Sequence, residues 1–374
     1  MKPSWKALHQ IDTIVFMRKF CLIFLIQLSF AMPMIILQSH QDELKVMSEI
    51  IRADLKSSKA NYHAGRLQLL LKYQKDWGML QCRLRSETND ILVERTFRYE
   101  KNDAIWAAHG CSDAVMQGLT GKPSLFSGRV SWVSVDDEQY IVEQADRHLN
   151  NRRVLFKSTS PIISLAWTPD AKSLYYIKHT ADAYDIKRYD RVLKTHHMVY
   201  HSKTPLNDLV WDATQAQLIF TKSVHGIQKL FTMENGTPRQ LTFGKSIDVS
   251  PTVSNGKVVF VSDLKHSPML YKLGANGIKN HLPLEGSSML MPMMYHHQLY
   301  WYDADKGEIM VFDSTKQETH TFINQSAVKA ISPTPFGLLV ATSDALMLID
   351  FDGSVMDRKY IAVNVLSTSW MDVA

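Results

Sequence analysis

Short apolar stretches of strand-like period recur in the last two thirds of the chain, and five of them fall into register. They are Leu165–Ile177, Leu209–Phe220, Val249–Val261, Met291–Tyr302 and Ile331–Ala341, with starts separated by 44, 40, 42 and 40 residues. Each reads as an inner strand, a tight turn and a second strand. A second marker follows each pair: Asp190-Arg191, Asn235-Gly236, Asn276-Gly277, Asp313-Ser314 and Asp352-Gly353, at spacings of 45, 41, 37 and 39. Asn-Gly and Asp-Gly favour two-residue hairpins because both central positions need positive φ. Two markers in step at roughly 40 residues predict four-stranded units, the period of a propeller blade.

Five such units would leave open edges, which invite aggregation. The ends of this region supply a sixth. Strand-like stretches at Arg129–Val135, Gln139–Gln144 and Arg152–Phe156, with a turn at Asp146-Arg147, precede the first unit, and one inner-strand segment, Leu366–Val373, follows the last. Three strands from the front and one from the back close the ring.

Residues 32–127 lack this period and predict a separate α/β domain. A strand at Met34–Leu37 leads to a helix over Asp42–Leu55, then strands near Met79–Arg85 and Leu92–Tyr99. A second helix starts after Asp103 as N-cap, places Ile105, Ala108, Ser112, Val115 and Leu119 on one face, and stops at Gly121 and Pro123. The expected fold class is an α+β N-terminal domain followed by an all-β six-bladed β-propeller with WD40-like repeats.

Composition changes this picture at the N-terminus. Met17-Arg18-Lys19, the apolar run Phe20–Leu28 and Ser29-Phe30-Ala31 have the order of a secretory signal peptide. Residues 1–31 are therefore read as a signal cleaved after Ala31, with translation starting at Met17. The competing reading is an uncleaved anchor, since apolar character continues through Pro33–Leu37. Loss of Cys21 with the signal leaves Cys82 and Cys111, either paired or as two buried thiols. The formal charge of +5 is concentrated in the leader, so the remainder carries about +2 and no run of Lys or Arg that could track a phosphate backbone. Nucleic-acid binding is not expected.

Candidate chemistry is sparse. Gly110-Cys-Ser112-Asp-Ala114 approximates a nucleophile elbow but lies in a helix and lacks the last glycine. His196-His197 and His296-His297 suggest metal ligands, yet neighbours on a strand point to opposite faces. Met289, Met291 and Met293 alternate and could present three thioethers to Cu(I), or simply pack. Asp303-Ala-Asp305-Lys-Gly307-Glu308 lacks the length of a calcium loop and reads as an acidic turn. No catalytic residue, cofactor or metal is expected.

The segment Ile51–Lys59, the run Trp106–Val115 with Leu119-Thr-Gly, Arg239-Gln-Leu-Thr, Ser250-Pro-Thr and Phe260-Val-Ser-Asp resemble the TolB family over residues 33–374. The resemblance implies a periplasmic, non-enzymatic protein of the Tol-Pal system, supporting outer-membrane integrity and constriction at division. It implies the peptidoglycan-associated lipoprotein as partner of the propeller face, and TolA as partner of an extended segment before the first strand. Only Met32 and Pro33 separate Ala31 from Met34, so TolA contact is not expected here. The family's lipoprotein-facing histidine and glutamate fall on Pro205 and Ser250, so their roles do not carry over. Loops entering the inner strands converge on one mouth of the channel. Asn207, Asp208, Asp248, Ser250, Ser288 and Lys329 are accordingly the candidate partner-binding residues of a monomer. Charge reversal at Asp208 and Asp248 is expected to weaken binding without unfolding. The alternatives are a propeller enzyme or small-ligand binder using channel polar groups, and a membrane-anchored adaptor with an unrelated partner.

Overall fold

A computed structural model describes residues 34–37, 42–58, 67–99, 104–121, 124, 126–334, 337–360 and 365–371. The leader with Met17, the Met32-Pro33 link, the expected cap Asp103 and the stop residue Pro123 lie outside these residues, as do Pro335 and Phe336 of the fifth repeat. The chain divides into two compact units, one ending at Ser127 and one beginning at Gly128.

The first unit is built from β1 (Met34–Leu37), α1 (Asp42–Ser57), β2 (Gln68–Gln74), β3 (Met79–Arg85), β4 (Ile91–Arg98) and α2 (Ala104–Thr120). The sheet runs β1-β2-β3-β4, with β1 parallel to β2 and the other pairs antiparallel. Strand β2 has no counterpart among the expected strands, because Leu69-Leu70-Leu71 is a short continuous apolar run whose period does not separate strand from helix. In place it alternates, burying Leu69, Leu71 and Tyr73. Gly78 ends the tight β2–β3 connection at φ +54, and a Cβ there would meet the Tyr99 carbonyl oxygen at 2.5 Å.

Helix α1 buries Leu44, Met47, Ile51 and Leu55, and α2 buries Ala107, Ala108, Cys111 and Val115, in one core with β2 and β3. Two further ties hold α2. Cys111 is disulfide-bonded to Cys82 of β3, which decides between the paired and free readings. On the same helix His109 Nδ1 lies 2.8 Å from Asp54 Oδ2 of α1, both side chains buried. Ser112, the elbow candidate, is fully buried and donates to the Ala108 carbonyl inside α2, so it has no exposed hydroxyl.

The second unit consists of β5 (Arg129–Asp136), β6 (Gln139–Asp146) and β7 (Arg153–Ser158), followed by five meanders. The first meander is β8 (Ile162–Trp167), β9 (Ser173–His179), β10 (Tyr184–Asp190) and β11 (Thr195–Ser202). The second is β12 (Leu206–Asp212), β13 (Gln217–Val224), β14 (Ile227–Glu234) and β15 (Thr237–Gln240). The third is β16 (Asp248–Ser254), β17 (Lys257–Ser262), β18 (Met269–Leu273) and β19 (Lys279–His281). The fourth is β20 (Met289–Tyr295), β21 (Gln298–Asp303), β22 (Glu308–Asp313) and β23 (Glu318–Asn324). The fifth is β24 (Ala330–Thr334), β25 (Gly337–Ala341), β26 (Ala345–Asp350) and β27 (Val355–Tyr360), after which β28 (Val365–Met371) returns to β5.

Among the described residues these make six four-stranded sheets, the last in the order β28-β5-β6-β7. Trp370 sits opposite Val130 and Met371 opposite Arg129, so the first and last parts of the propeller share one blade. There is no single core. Six apolar clusters each fill the wedge between two adjacent blades, from Val133, Leu165 and Tyr176 in one to Val130, Trp132 and Leu339 in another.

The turn markers all fall between the third and fourth strands of their blades, but only some use paired positive φ. Asn235 and Gly236 have φ of +49 and +79, and Asn276 and Gly277 +53 and +77. At Asp190 and Asp313 the carboxylate instead accepts from backbone N–H groups two residues on, Val192 and Thr315, which closes a longer turn.

Candidate functional site

The inner strands β8, β12, β16, β20 and β24 stand side by side around the axis, and β28 completes the ring between β24 and β8. Their pairing with the second strands is interrupted by a bulge after Ile162, Leu206, Val249, Leu290 and Val365, whereas β24 pairs without a break. A bulge frees backbone donors that need another partner. The preceding inner strand supplies it: Leu209 N–H donates to Ser164 Oγ at 3.1 Å, Ser250 N–H to Asp208 Oδ2 at 2.9 Å, and Met294 N–H to Thr252 Oγ1 at 3.2 Å. Ser250 and Met291 take φ of +50 and +52 at these bulges, a costly backbone for residues with a side chain.

The strands enclose a cavity of about 440 Å3. Four of the candidate residues, Asn207, Asp208, Ser250 and Lys329, line it where the strands begin. Burial pushes the Asp208 carboxyl above its ordinary value, against the opposing hydrogen bonds from Ser250 N–H and the Thr221 hydroxyl. Its Oδ2 is therefore engaged with the wall, accepting from both groups. Further along the strands the lining includes Pro251 and Pro292 and then Pro333, Trp167, Trp211 and Tyr295, with the Trp167 ring buried in the wedge between β8 and β5 and the other two rings stacked on Tyr175 and Phe351. These residues were not among the candidates. Their signal is nonetheless present, since Trp167 and Trp211 take the third position of the first two repeat segments and the three prolines recur every 41 residues.

The other two candidates lie elsewhere. Ser288 precedes β20, where its carbonyl accepts from Ala304 N–H at 3.0 Å. Asp248 is fully buried between Lys229 of β14 at 3.0 Å and Lys279 of β19 at 2.7 Å, with Ser262 donating at 2.7 Å. Burial alone would raise this carboxyl, but hydrogen bonds from Lys279, Ser262 and Lys229 outweigh it and hold the group below the usual carboxylate range. Desolvation lowers Lys229 in the same cluster, with Asp248 opposing. Asp248 thus presents no charge to a partner, and reversing it would set a third cation against two buried lysines. The expectation that its reversal spares the fold is corrected accordingly.

The remaining motifs resolve into packing. The bulge after Leu290 breaks the alternation expected of β20, so Met289 enters the wedge toward the third blade while Met291 and Met293 enter the one toward the fifth. His196 packs edge-on to Phe156 and Tyr176, with Nδ1 3.0 Å from the Tyr176 hydroxyl, and His197 pairs with Thr195. His296 and His297 occupy the exposed β20–β21 turn. In the acidic turn Asp303 accepts from Lys306 N–H at 3.3 Å and Asp305 from Ser287 at 2.6 Å. Among the described residues no three His, Cys, Asp or Glu side chains are grouped to hold a metal ion.

Comparison with known proteins agrees with this geometry. The model of the TolB beta propeller domain matches residues 116–372. "Tol-Pal system protein TolB" of Legionella pneumophila (strain Corby) is 37% identical over 92 residues, 24% of this chain and 22% of the relative. The protein of the same name from Acinetobacter baylyi is 41% identical over 75 residues, 19% of this chain and 18% of its own. The aligned segments thus span about a fifth of these relatives' length. The crystal structure of TolB from Acinetobacter baumannii superimposes with a TM-score of 0.72 at 20% identity, covering 89% of this chain and 94% of that one. The nidogen/laminin complex reaches 0.56 at 11% identity over 66% of this chain, the same ring in another setting. A closed ring of six four-stranded sheets among the described residues, following an α/β unit in sequence and matched over most of the chain by one family model, makes this protein a member of the TolB β-propeller family.

Proposed function

We propose that the protein is a non-catalytic, periplasmic protein-binding scaffold of the Tol-Pal type, which docks the peptidoglycan-associated lipoprotein on the propeller face where the inner strands begin. In that role it supports outer-membrane integrity and envelope constriction during division. The observation that carries the reading is the convergence of Asn207, Ser250 and Lys329 on one mouth of a ring of TolB architecture. The channel wall gives no support to the enzyme alternative: among its described lining residues Asp208 is the one acid, its carboxylate is held by Ser250 and Thr221, and there is no histidine. The buried Cys82–Cys111 disulfide suits an oxidising compartment such as the periplasm. TolA contact forms no part of the proposal.

Native co-purification from envelope extracts tests it. The lipoprotein should be retained by the wild-type chain and reduced by Lys329→Glu combined with Asn207→Ala. No retention by the wild type would overturn the assignment of partner, and retention unaffected by the double variant would overturn the assignment of the face.

A further inference from the structure

Four large apolar side chains gather at the surface of the third blade. Phe243, Ile247, Leu264 and Ile278 are 55%, 47%, 50% and 59% exposed, and none of them lines the channel. They flank a short strap, residues 243–247, that leads into β16. At one end of the strap a Cβ on Gly277 would meet the Phe243 ring at 3.0 Å, so the ring lies against the backbone next to Ile278. At the other end Ile247 N–H donates to Asp263 Oδ1 at 2.6 Å and the Ile247 carbonyl accepts from Asp263 N–H at 3.2 Å, which sets Leu264 beside it. Between the two ends Lys279 donates to the Ser246 hydroxyl and Lys229 to the Ser246 carbonyl. The strap is fixed before anything docks, so little binding energy is lost to ordering it.

Charge selects the occupant. Residues 241–284 hold five lysines, two aspartates, no arginine and no glutamate, whereas residues 285–327 of the next blade hold six acids and two lysines. Lys245 and Lys265, beside the four apolar side chains, are exposed; Asp248 is buried against two lysines, and Asp263 is held at Ile247. A second copy docking through the same patch would set lysines against lysines. A bilayer favours side chains that stand clear of the surface, and the Phe243 ring lies on Gly277 instead. Strand addition needs a long open edge, and β19, the outer strand here, has three residues. We propose that this patch docks an amphipathic α-helix of another protein, with its apolar stripe on Phe243, Ile247, Leu264 and Ile278 and its acidic flank against Lys245 and Lys265. The site is separate from the channel mouth and does not rest on the lipoprotein reading.

The test uses the full exported chain and two fluorescein-labelled synthetic helices that share one leucine stripe, with glutamates on the polar face of one and lysines on that of the other. In fluorescence anisotropy the acidic helix should saturate at one per chain, and the basic helix should bind at least about tenfold more weakly. Phe243→Ser, on a half-exposed side chain, should weaken the acidic helix about tenfold. Lys245→Glu combined with Lys265→Glu should reverse the preference between the two helices, which a folding defect cannot do. No saturable binding, equal affinity for the two helices, unchanged affinity in Phe243→Ser, or displacement of the acidic helix by phosphatidylglycerol vesicles would overturn the proposal. Lipoprotein capture should survive Phe243→Ser; its loss there would make the patch part of the mouth and overturn a separate site.

Discussion

Asp208 shows how much depends on one carboxyl group. Its folded form titrates above the ordinary value of 3.8 because burial disfavours the charge. The stability linked to the neutral acid is therefore complete below about pH 3.8 and is lost as the pH rises through the raised value. Asp208→Asn keeps an acceptor for Ser250 N–H and cannot ionise. Its stability relative to wild type should rise between pH 3.5 and pH 7 in denaturant titrations, and a flat difference would refute the assignment. Asp208→Ala removes the acceptor and should cost about 1–3 kcal/mol at pH 7. At Asp248 the sign is opposite: Asp248→Asn leaves Lys229 and Lys279, 3% and 8% exposed, without their counterion and should cost about 3–5 kcal/mol. Neither environment was legible from the residues alone. Both aspartates stand near the starts of inner strands, and only their partners, Thr221 of β13 and Ser250 of β16 for one, Lys229 of β14 and Lys279 of β19 for the other, separate a wall acid from a buried ion pair.

At the scale of elements, the hairpin markers and inner strands were readable because they obey local chemistry: alternation sets the strand, and positive φ or an aspartate accepting from the backbone closes the turn. Features that answer to a neighbouring element were not. Ser250 and Met291 do not advertise a left-handed backbone, and the bulges there are backed by the preceding blade, which offers Asp208 to Ser250 N–H and Thr252 to Met294 N–H. Two cysteines likewise do not announce whether β3 and α2 bring them together. The disulfide spans a separation of 29 residues, for which chain entropy gives about 3.5 kcal/mol. Reduction should therefore lower the unfolding midpoint of the α/β unit. Residues 128–374 contain no cysteine, so the propeller transition, followed by its tryptophans, should stay in place under the same reductant. A shift of both transitions would show that the two units do not unfold independently.

For the whole molecule, the repeat period and the strand count at the two ends led to the ring, since a propeller must dispose of its edges. The six wedges between blades make its stability a circular sum in which each blade needs two neighbours. Truncation after Tyr360 removes β28 and uncovers β5 along its whole length. The shortened chain should elute as aggregates in size-exclusion chromatography and lose its cooperative melt; a monomer with an unchanged melt would contradict closure through β28. The same pairing has a meaning in time. Arg129 leaves the ribosome long before Met371, yet the two face each other in one sheet, so the earliest blade waits for the latest strand. During that interval its partner site is open to any passing segment of chain, and the ring gains its stability in a single late step rather than blade by blade.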